Sequence, residues 1–107
     1  MAGGGAIEFR TGNDVALDPV IELYLRSTLR ERRPVDDRGT MRAMVENADL
    51  LVTAWSGERL VGIARTLTDF QYVAYLADLA VDADFQRRGI GRELVARSQI
   101  VHRATDD

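Results

Sequence analysis

A short stretch rich in glycine and arginine has the residue types of an anion-binding loop. The segment QRRGIGR, residues 86–92, follows an apolar run and leads directly into a sequence with helical periodicity. The first N–H groups of a helix have no intrahelical partner and lie at the positive end of its dipole, so they favour a phosphate. Gly89 and Gly91 carry no Cβ that would keep an anion from these amides, and the arginines add positive charge. The stretch therefore predicts binding of a pyrophosphate or a similar anion.

Two common phosphate-binding motifs do not match this stretch. A G-x-x-x-x-G-K-[ST] loop is excluded, because all 14 basic residues of the chain are arginines. The dinucleotide motif G-x-G-x-x-G also fails, since Leu94 stands in the place of the last glycine. Hydrolysis of ATP or GTP and binding of a dinucleotide are therefore both disfavoured.

The composition favours one soluble, cytoplasmic domain. The chain has 107 residues, 46% of them hydrophobic, and no apolar run long enough to cross a bilayer. A net charge of -3 argues against a nucleic-acid partner, whose binding surface is usually strongly basic. The absence of cysteine excludes disulfides and thiolate metal sites and is consistent with a reducing compartment. We therefore expect no nucleic-acid or membrane partner.

Hydrophobic periodicity predicts the element order β-α-α-β-β-β-α, with residues 1–6 as a flexible leader and residues 7–107 as a single domain. Asp18 followed by Pro19 predicts the start of the first helix. The turn at residues 56–59 contains a glycine and predicts a hairpin. The predicted strands are residues 7–10, 50–55, 60–67 and 72–81. The first predicted helix is residues 18–30, and the second is capped by Asp36 or Asp37 and turns Met41, Met44, Val45 and Ala48 inward. The third predicted helix has Ile90, Leu94 and Val101 on one face and ends near residue 104.

Motif and element order together resemble the GCN5-related N-acetyltransferase (GNAT) family of acetyl-CoA-dependent acyltransferases. The segment LAVD, residues 79–82, running into FQRRGIGREL, residues 85–94, matches the family's Q/R-x-x-G-x-G/A loop between a central strand and a helix. The resemblance covers residues 7–104. It implies an α/β acyl-CoA N-acyltransferase fold with a mixed, mostly antiparallel sheet. It also implies a further strand, a helix and a closing hairpin, which this sequence lacks after the motif helix.

The resemblance implies acetyl-CoA as cosubstrate and no metal. The amides of residues 86–92 would hold the pyrophosphate, arginine side chains would reach a phosphate, and the preceding strand would orient the pantetheine arm. The coenzyme-binding residues carried over in this way are Leu79, Ala80, Val81, Gln86, Arg87, Arg88, Gly89, Ile90, Gly91 and Arg92.

The implied reaction is direct attack of a neutral amine on the thioester, without a covalent enzyme intermediate, which agrees with a chain that has neither cysteine nor lysine. Asp78 is the candidate base or water-positioning group, because it lies on the strand expected to reach the thioester. Regular alternation places Asp78 on the same strand face as Leu76 and Ala80. Tyr24 and Tyr75 are candidates for the acceptor pocket, with a place in the core or at its rim as the alternative.

These observations predict an N-acetyltransferase that acts on a primary amine of a small molecule or a protein. Two alternatives stay open: a non-catalytic module that binds acetyl-CoA or coenzyme A, and an inactive fragment of a longer acetyltransferase. The tyrosine that commonly protonates the thiolate in the family has no counterpart here. The fourth strand would also be left as an exposed edge, so a homodimer that covers it is a further expectation.

Overall fold

A computed structural model describes residues 6–105, with side chains through residue 99. The predicted element order is confirmed. Short 3₁₀ turns occupy Arg30–Arg32 and Ala83–Phe85. Residues 1–5 of the expected leader lie outside the described residues. The strands are β1 (Glu8–Thr11), β2 (Leu50–Ser56), β3 (Arg59–Thr68) and β4 (Ala74–Val81), and the helices are α1 (Leu17–Leu25), α2 (Arg38–Glu46) and α3 (Ile90–Thr105).

The strands form one sheet in the order β1-β2-β3-β4, and every described pairing is antiparallel. β2 is buried from Leu50 to Trp55 without alternation, which shows that both faces of the sheet are covered. The turn between β2 and β3 has Gly57 in the left-handed region at φ 61°, as its glycine predicted. β4 forms one edge of the sheet, because no described strand pairs with its outer side.

Two apolar cores lie on opposite faces of the sheet. Helices α1 and α2 cover the first core, which includes Val20 of α1, Met41 of α2 and Ile63 of β3. Helix α3 covers the second core through Ile90 and Leu94, as predicted; the side chain of the third predicted residue, Val101, lies outside the described set. Gly62 on β3 allows this close approach, since a Cβ there would lie 2.9 Å from Leu94 Cδ1. The other predicted inward residues of the second helix region, Met44, Val45 and Ala48, are buried or packed against the first core.

The first helix differs from its prediction at both ends. It begins at Leu17 with Ala16 as N-cap, so Asp18 lies in the first turn and binds Arg38 (Nη1–Oδ1 2.6 Å) instead of capping the helix. It ends at Leu25 rather than residue 30, because the Ser27 hydroxyl accepts from the Leu29 amide and the chain turns there. In α2, Asp37 is the N-cap and accepts from the Thr40 amide, in agreement with one of the two predicted caps.

A bulge in β4 corrects the predicted alternation. Asp78 pairs with Arg65 whereas Leu76 pairs with Thr66, so Ala77 is an extra residue on β4. Asp78 then faces α1, while Leu76 lies on the opposite face beside α3. The expectation that Asp78 and Leu76 share a face is therefore wrong, and the extra residue is the physical reason. β4 also begins at residue 74 rather than 72, since the preceding backbone is held in a loop around the Asp69 carboxylate.

Candidate functional site

A cleft of about 350 Å³ lies where β4 ends and α3 begins. Its walls come from the end of β4, from the loop that follows the second 3₁₀ turn, from the first turn of α3 and from the segment after α1. Eight of the ten residues predicted to bind coenzyme line it. The complete lining is Thr28, Leu79, Val81, Phe85, Gln86, Arg87, Gly89, Ile90, Gly91 and Arg92.

The loop at this cleft has the backbone conformation of an anion cradle. Arg87 and Gly89 both have positive φ angles, 66° and 81°, with Arg88 between them. Left-handed residues alternating with others turn successive amides towards one point, where they bind anions. An arginine with positive φ is uncommon and costs backbone energy, and such residues concentrate at functional sites. The hydrogen bond at the start of α3 runs from the Glu93 N–H to the Gly89 carbonyl. The amides before it lie at the open end of the helix.

Gly91 leaves the space between helix and strand open. A Cβ at this position would lie 3.6 Å from Val81 Cγ2 and 3.9 Å from Leu79 Cδ2. Both of these side chains line the cleft, so a larger residue at position 91 would grow into it. The main chain at Gly91 is therefore open to the cleft, which leaves room for the predicted anion.

The predicted arginines do not all face the cleft. Arg87 and Arg92 line it and place positive charge beside the amides. Arg88 instead lies over the Phe85 ring, 4.7 Å from its centroid, and donates to the Asp84 carbonyl. Among the predicted strand residues, Ala80 also departs from the cleft, since its side chain is buried in the first core. These two residues support the loop and the sheet rather than line the site.

A buried aspartate holds the turn that precedes the loop. Asp82 is fully buried; its Oδ1 accepts from the Asp84 amide at 2.9 Å, and its Oδ2 accepts from Arg59 Nη2 at 2.7 Å. The Ala83 amide donates to the Arg26 carbonyl at 2.9 Å, which ties the turn to the end of α1. These bonds fix where the loop leaves β4 and thus where its amides lie.

The acetyltransferase (GNAT) family model matches residues 17–104. The chain belongs to this family. No curated protein shows significant sequence similarity to it.

Several solved acetyltransferases share this GNAT fold. A GNAT family protein from Streptococcus pneumoniae is 21% identical with a TM-score of 0.68, over 94% of this chain and 70% of that one. The PaiA N-acetyltransferase from Thermoplasma acidophilum, solved in complex with coenzyme A, is 15% identical with a TM-score of 0.72, over 92% and 73%. A ribosomal-protein-alanine N-acetyltransferase from Escherichia coli is 19% identical with a TM-score of 0.74, over 92% and 61%. At these identities the likeness concerns the fold alone.

In this GNAT chain, Asp78 lies at the centre of a buried polar cluster rather than in the cleft. Only 2% of Asp78 is exposed. Its carboxylate accepts from Tyr24 Oη at 2.6 Å, from Arg33 Nε at 2.7 Å and from Arg65 Nε at 2.7 Å. Burial raises the pKa of Asp78, but the hydrogen bonds from Arg65, Tyr24 and Arg33 outweigh burial and lower the pKa overall. Such an ionised, fully engaged carboxylate is a weak base, so the geometry argues against direct proton transfer by Asp78.

The two tyrosines proposed for the acceptor pocket have contrasting surroundings. Tyr24 is 1% exposed, and burial together with its hydrogen bond to Asp78 raises the pKa of its phenol, which keeps the group protonated as a donor. Tyr24 therefore belongs to the core, the alternative that the sequence left open. Tyr75 is 67% exposed on β4 and stays available to a ligand.

Four residues of the site and its support were not singled out by the sequence. Thr28 and Phe85 line the cleft, and Arg33 and Arg65 bind Asp78. Phe85 lies within the matched motif and could have been included. The others are brought to the site by tertiary contacts across 13 residues or more, for which the local sequence carries no signal.

Two findings bear on other classes of site. Within residues 6–105, no helix has the length and apolar character needed to span a membrane. Among the side chains that the structure describes, residues 6–99, His, Cys, Asp and Glu do not form a group of three or more that could hold a metal ion.

Proposed function

We propose that this protein transfers an acetyl group from acetyl-CoA to a primary amine. The observation that carries the proposal is the cleft at the start of α3. There residues 86–92 form a loop with left-handed Arg87 and Gly89, next to the amides at the open end of the helix. Family membership supports acetyl transfer in general. The amine acceptor is supported by neighbours with the same fold that are N-acetyltransferases, one of them acting on a ribosomal-protein alanine.

The residues of the cleft have distinct proposed roles. The amides of residues 87–91 bind the pyrophosphate, and Arg87 and Arg92 add charge that favours a polyanionic ligand. Leu79 and Val81 offer an apolar wall of β4 to the pantetheine arm, and the backbone of Ala80 runs between them. The coenzyme supplies the activated acyl group when it is bound. Because Asp78 is engaged by two arginines, we propose that water takes the ammonium proton of the acceptor.

Calorimetric titration with acetyl-CoA, combined with a free-thiol release assay on a panel of primary amines, tests this function. We expect micromolar binding, a Kd of about 1–100 μM in the usual range for enzyme substrates, and release of thiol that depends on the amine. Binding without thiol release would favour the second candidate, a non-catalytic module that binds coenzyme A. The observation that favours this candidate is the burial of Asp78, the predicted base, whose carboxylate already accepts hydrogen bonds from Tyr24, Arg33 and Arg65. Absence of binding would exclude both functions for this chain.

We also propose that the protein forms a homodimer through β4 in the cytoplasm. Support comes from the apolar side chains exposed on and just before this edge strand. Sedimentation equilibrium should give twice the chain mass of 11.9 kDa, and replacement of Tyr72 and Val73 by serine should return the monomer. A monomeric wild-type protein at 100 μM would contradict the dimer. The exposed large apolar side chains on and just before β4 are Tyr72, Val73, Tyr75, Leu76 and Leu79, and Leu67 of β3 pairs with Tyr75.

The cytoplasmic assignment is supported by the absence of cysteine from the sequence.

A further inference from the structure

The segment between α1 and α2, residues 26–37 and here called the connector, is tied to the cleft at its first residue. The Arg26 carbonyl accepts from the Ala83 amide at 2.9 Å, and the Arg26 guanidinium lies 3.8 Å from the buried Asp82 carboxylate. Both partners belong to the turn that leads into the anion-binding loop. The start of the connector and the start of the loop are therefore held together.

A second tie lies further along the connector, at Arg33. Its Nε donates to Asp78 Oδ1 at 2.7 Å, and its Nη2 donates to the Ala77 carbonyl at 3.1 Å. Ala77 is the extra residue of the β4 bulge, so this one guanidinium binds both the carboxylate and the distorted main chain beside it. A planar group with several donors in fixed directions suits such a double contact, and an ammonium group does not reproduce it.

The connector is compact between these two ties. The Ser27 hydroxyl donates to the Tyr24 carbonyl and accepts from the Leu29 amide. The Arg32 amide donates to the Leu29 carbonyl within the 3₁₀ turn. Thr28 lies inside this folded stretch and contributes the connector's part of the cleft wall. The position of that wall therefore depends on the ties at Arg26 and Arg33.

We propose that Arg33 is a positioning residue that holds the connector, and with it Thr28, against the coenzyme cleft. This inference rests on the proposed function, because it assigns the cleft to acetyl-CoA. It gives Asp78 a role through Arg33: the buried carboxylate fixes the guanidinium, and the guanidinium fixes the connector. Arg65 and Tyr24 keep Asp78 satisfied when Arg33 is removed, so the fold survives the substitution.

Hydrogen exchange measured by mass spectrometry tests the anchoring without any ligand. In Arg33→Leu, amides of residues 28–32 should exchange about tenfold faster than in the wild type, while α3 and the sheet keep their rates. The exchange rates of Arg33→Lys should lie between those of the wild type and Arg33→Leu, because lysine keeps the charge but loses the contact with the Ala77 carbonyl. Arg38→Leu is the matched control, since it breaks a largely exposed ion pair with Asp18 and should leave the connector unchanged.

Acetyl-CoA affinity and steady-state kinetics of the same variants test the consequence at the cleft. Arg33→Leu should raise the Kd and the KM for acetyl-CoA about tenfold with kcat within about twofold, which is the pattern for a displaced binding wall. Unchanged exchange in the connector, or an unchanged Kd despite faster exchange, would overturn the proposal. A wild-type protein that does not bind acetyl-CoA would refute the proposed function and with it the role of Thr28. The exchange data would still decide separately whether Arg33 anchors the connector.

Discussion

Gly91→Leu is expected to weaken acetyl-CoA binding by about 100-fold while the domain stays folded. The φ angle of Gly91 lies outside the left-handed region, and a Cβ would make only ordinary contacts with Leu79 and Val81. A leucine is also a better helix former than glycine. Its side chain would extend into the cleft and separate the coenzyme from the first amides of α3. Loss of about two charge-assisted hydrogen bonds, each contributing roughly 1.5 kcal/mol, corresponds to this change in Kd.

Isothermal titration and thermal unfolding together measure this effect. Gly39→Leu is the control, because Gly39 is the second residue of α2 just as Gly91 is the second residue of α3, and it lies outside the cleft. It should leave the Kd unchanged, while Gly91→Ala should give an intermediate loss of affinity. If Gly91→Leu bound acetyl-CoA as well as the wild type in a folded protein, the cleft would not be the coenzyme site.

Asp78→Asn is expected to lower the free energy of unfolding at neutral pH by about 3 kcal/mol. Removing one partner from a buried ion pair leaves the other charges without compensation, at a cost of about 3–5 kcal/mol. The guanidinium groups of Arg33 and Arg65 are partly accessible to water, which favours the lower end of this range. Since domains of this size are stable by only about 5–15 kcal/mol, the loss should be plain in urea denaturation.

The same substitution should also change how stability depends on pH. Asp78 has a lowered pKa in the folded protein, so its ionised form stabilises the fold above the unfolded-state pKa of about 3.9. That contribution is lost as the pH falls through the lower, folded pKa. The difference in the free energy of unfolding between the wild type and Asp78→Asn should therefore be largest above about pH 5 and should shrink in more acidic solution. Asp18→Asn, which alters an exposed pair with Arg38, is the control: its free energy of unfolding should depend on pH in the same way as that of the wild type. A difference of constant size down to pH 2 would contradict this role of the carboxylate.

The conformation and place of the loop at residues 86–92 could be predicted from the sequence because the loop is a local structure. A strand, two glycines and a helix start are adjacent along the chain, and their conformations follow from the residues themselves. Eight of the predicted coenzyme residues accordingly line one cleft. The exceptions, Ala80 and Arg88, depend on which way a side chain turns, and packing in the first core and on the Phe85 ring decides that.

The surroundings of Asp78 could not be predicted in the same way. The bulge at Ala77 reverses the alternation of β4, and no residue type in that strand marks it. Arg33 and Tyr24 reach Asp78 across 45 and 54 residues of sequence. The length of α1 was overestimated, since its periodicity continues past the point where Ser27 offers the backbone another hydrogen bond.

The cradle at the start of α3 is built from main chain, and this affects how the protein tolerates sequence change. Every residue except proline has a backbone N–H, so most substitutions in residues 86–92 would alter the side chains around the cradle and leave its donors in place. The requirement falls on backbone conformation at Arg87 and Gly89, which have positive φ angles, and on side-chain size at Gly91. A site of this kind restricts three of its seven positions, and the other four side chains can change while the main-chain donors keep their places.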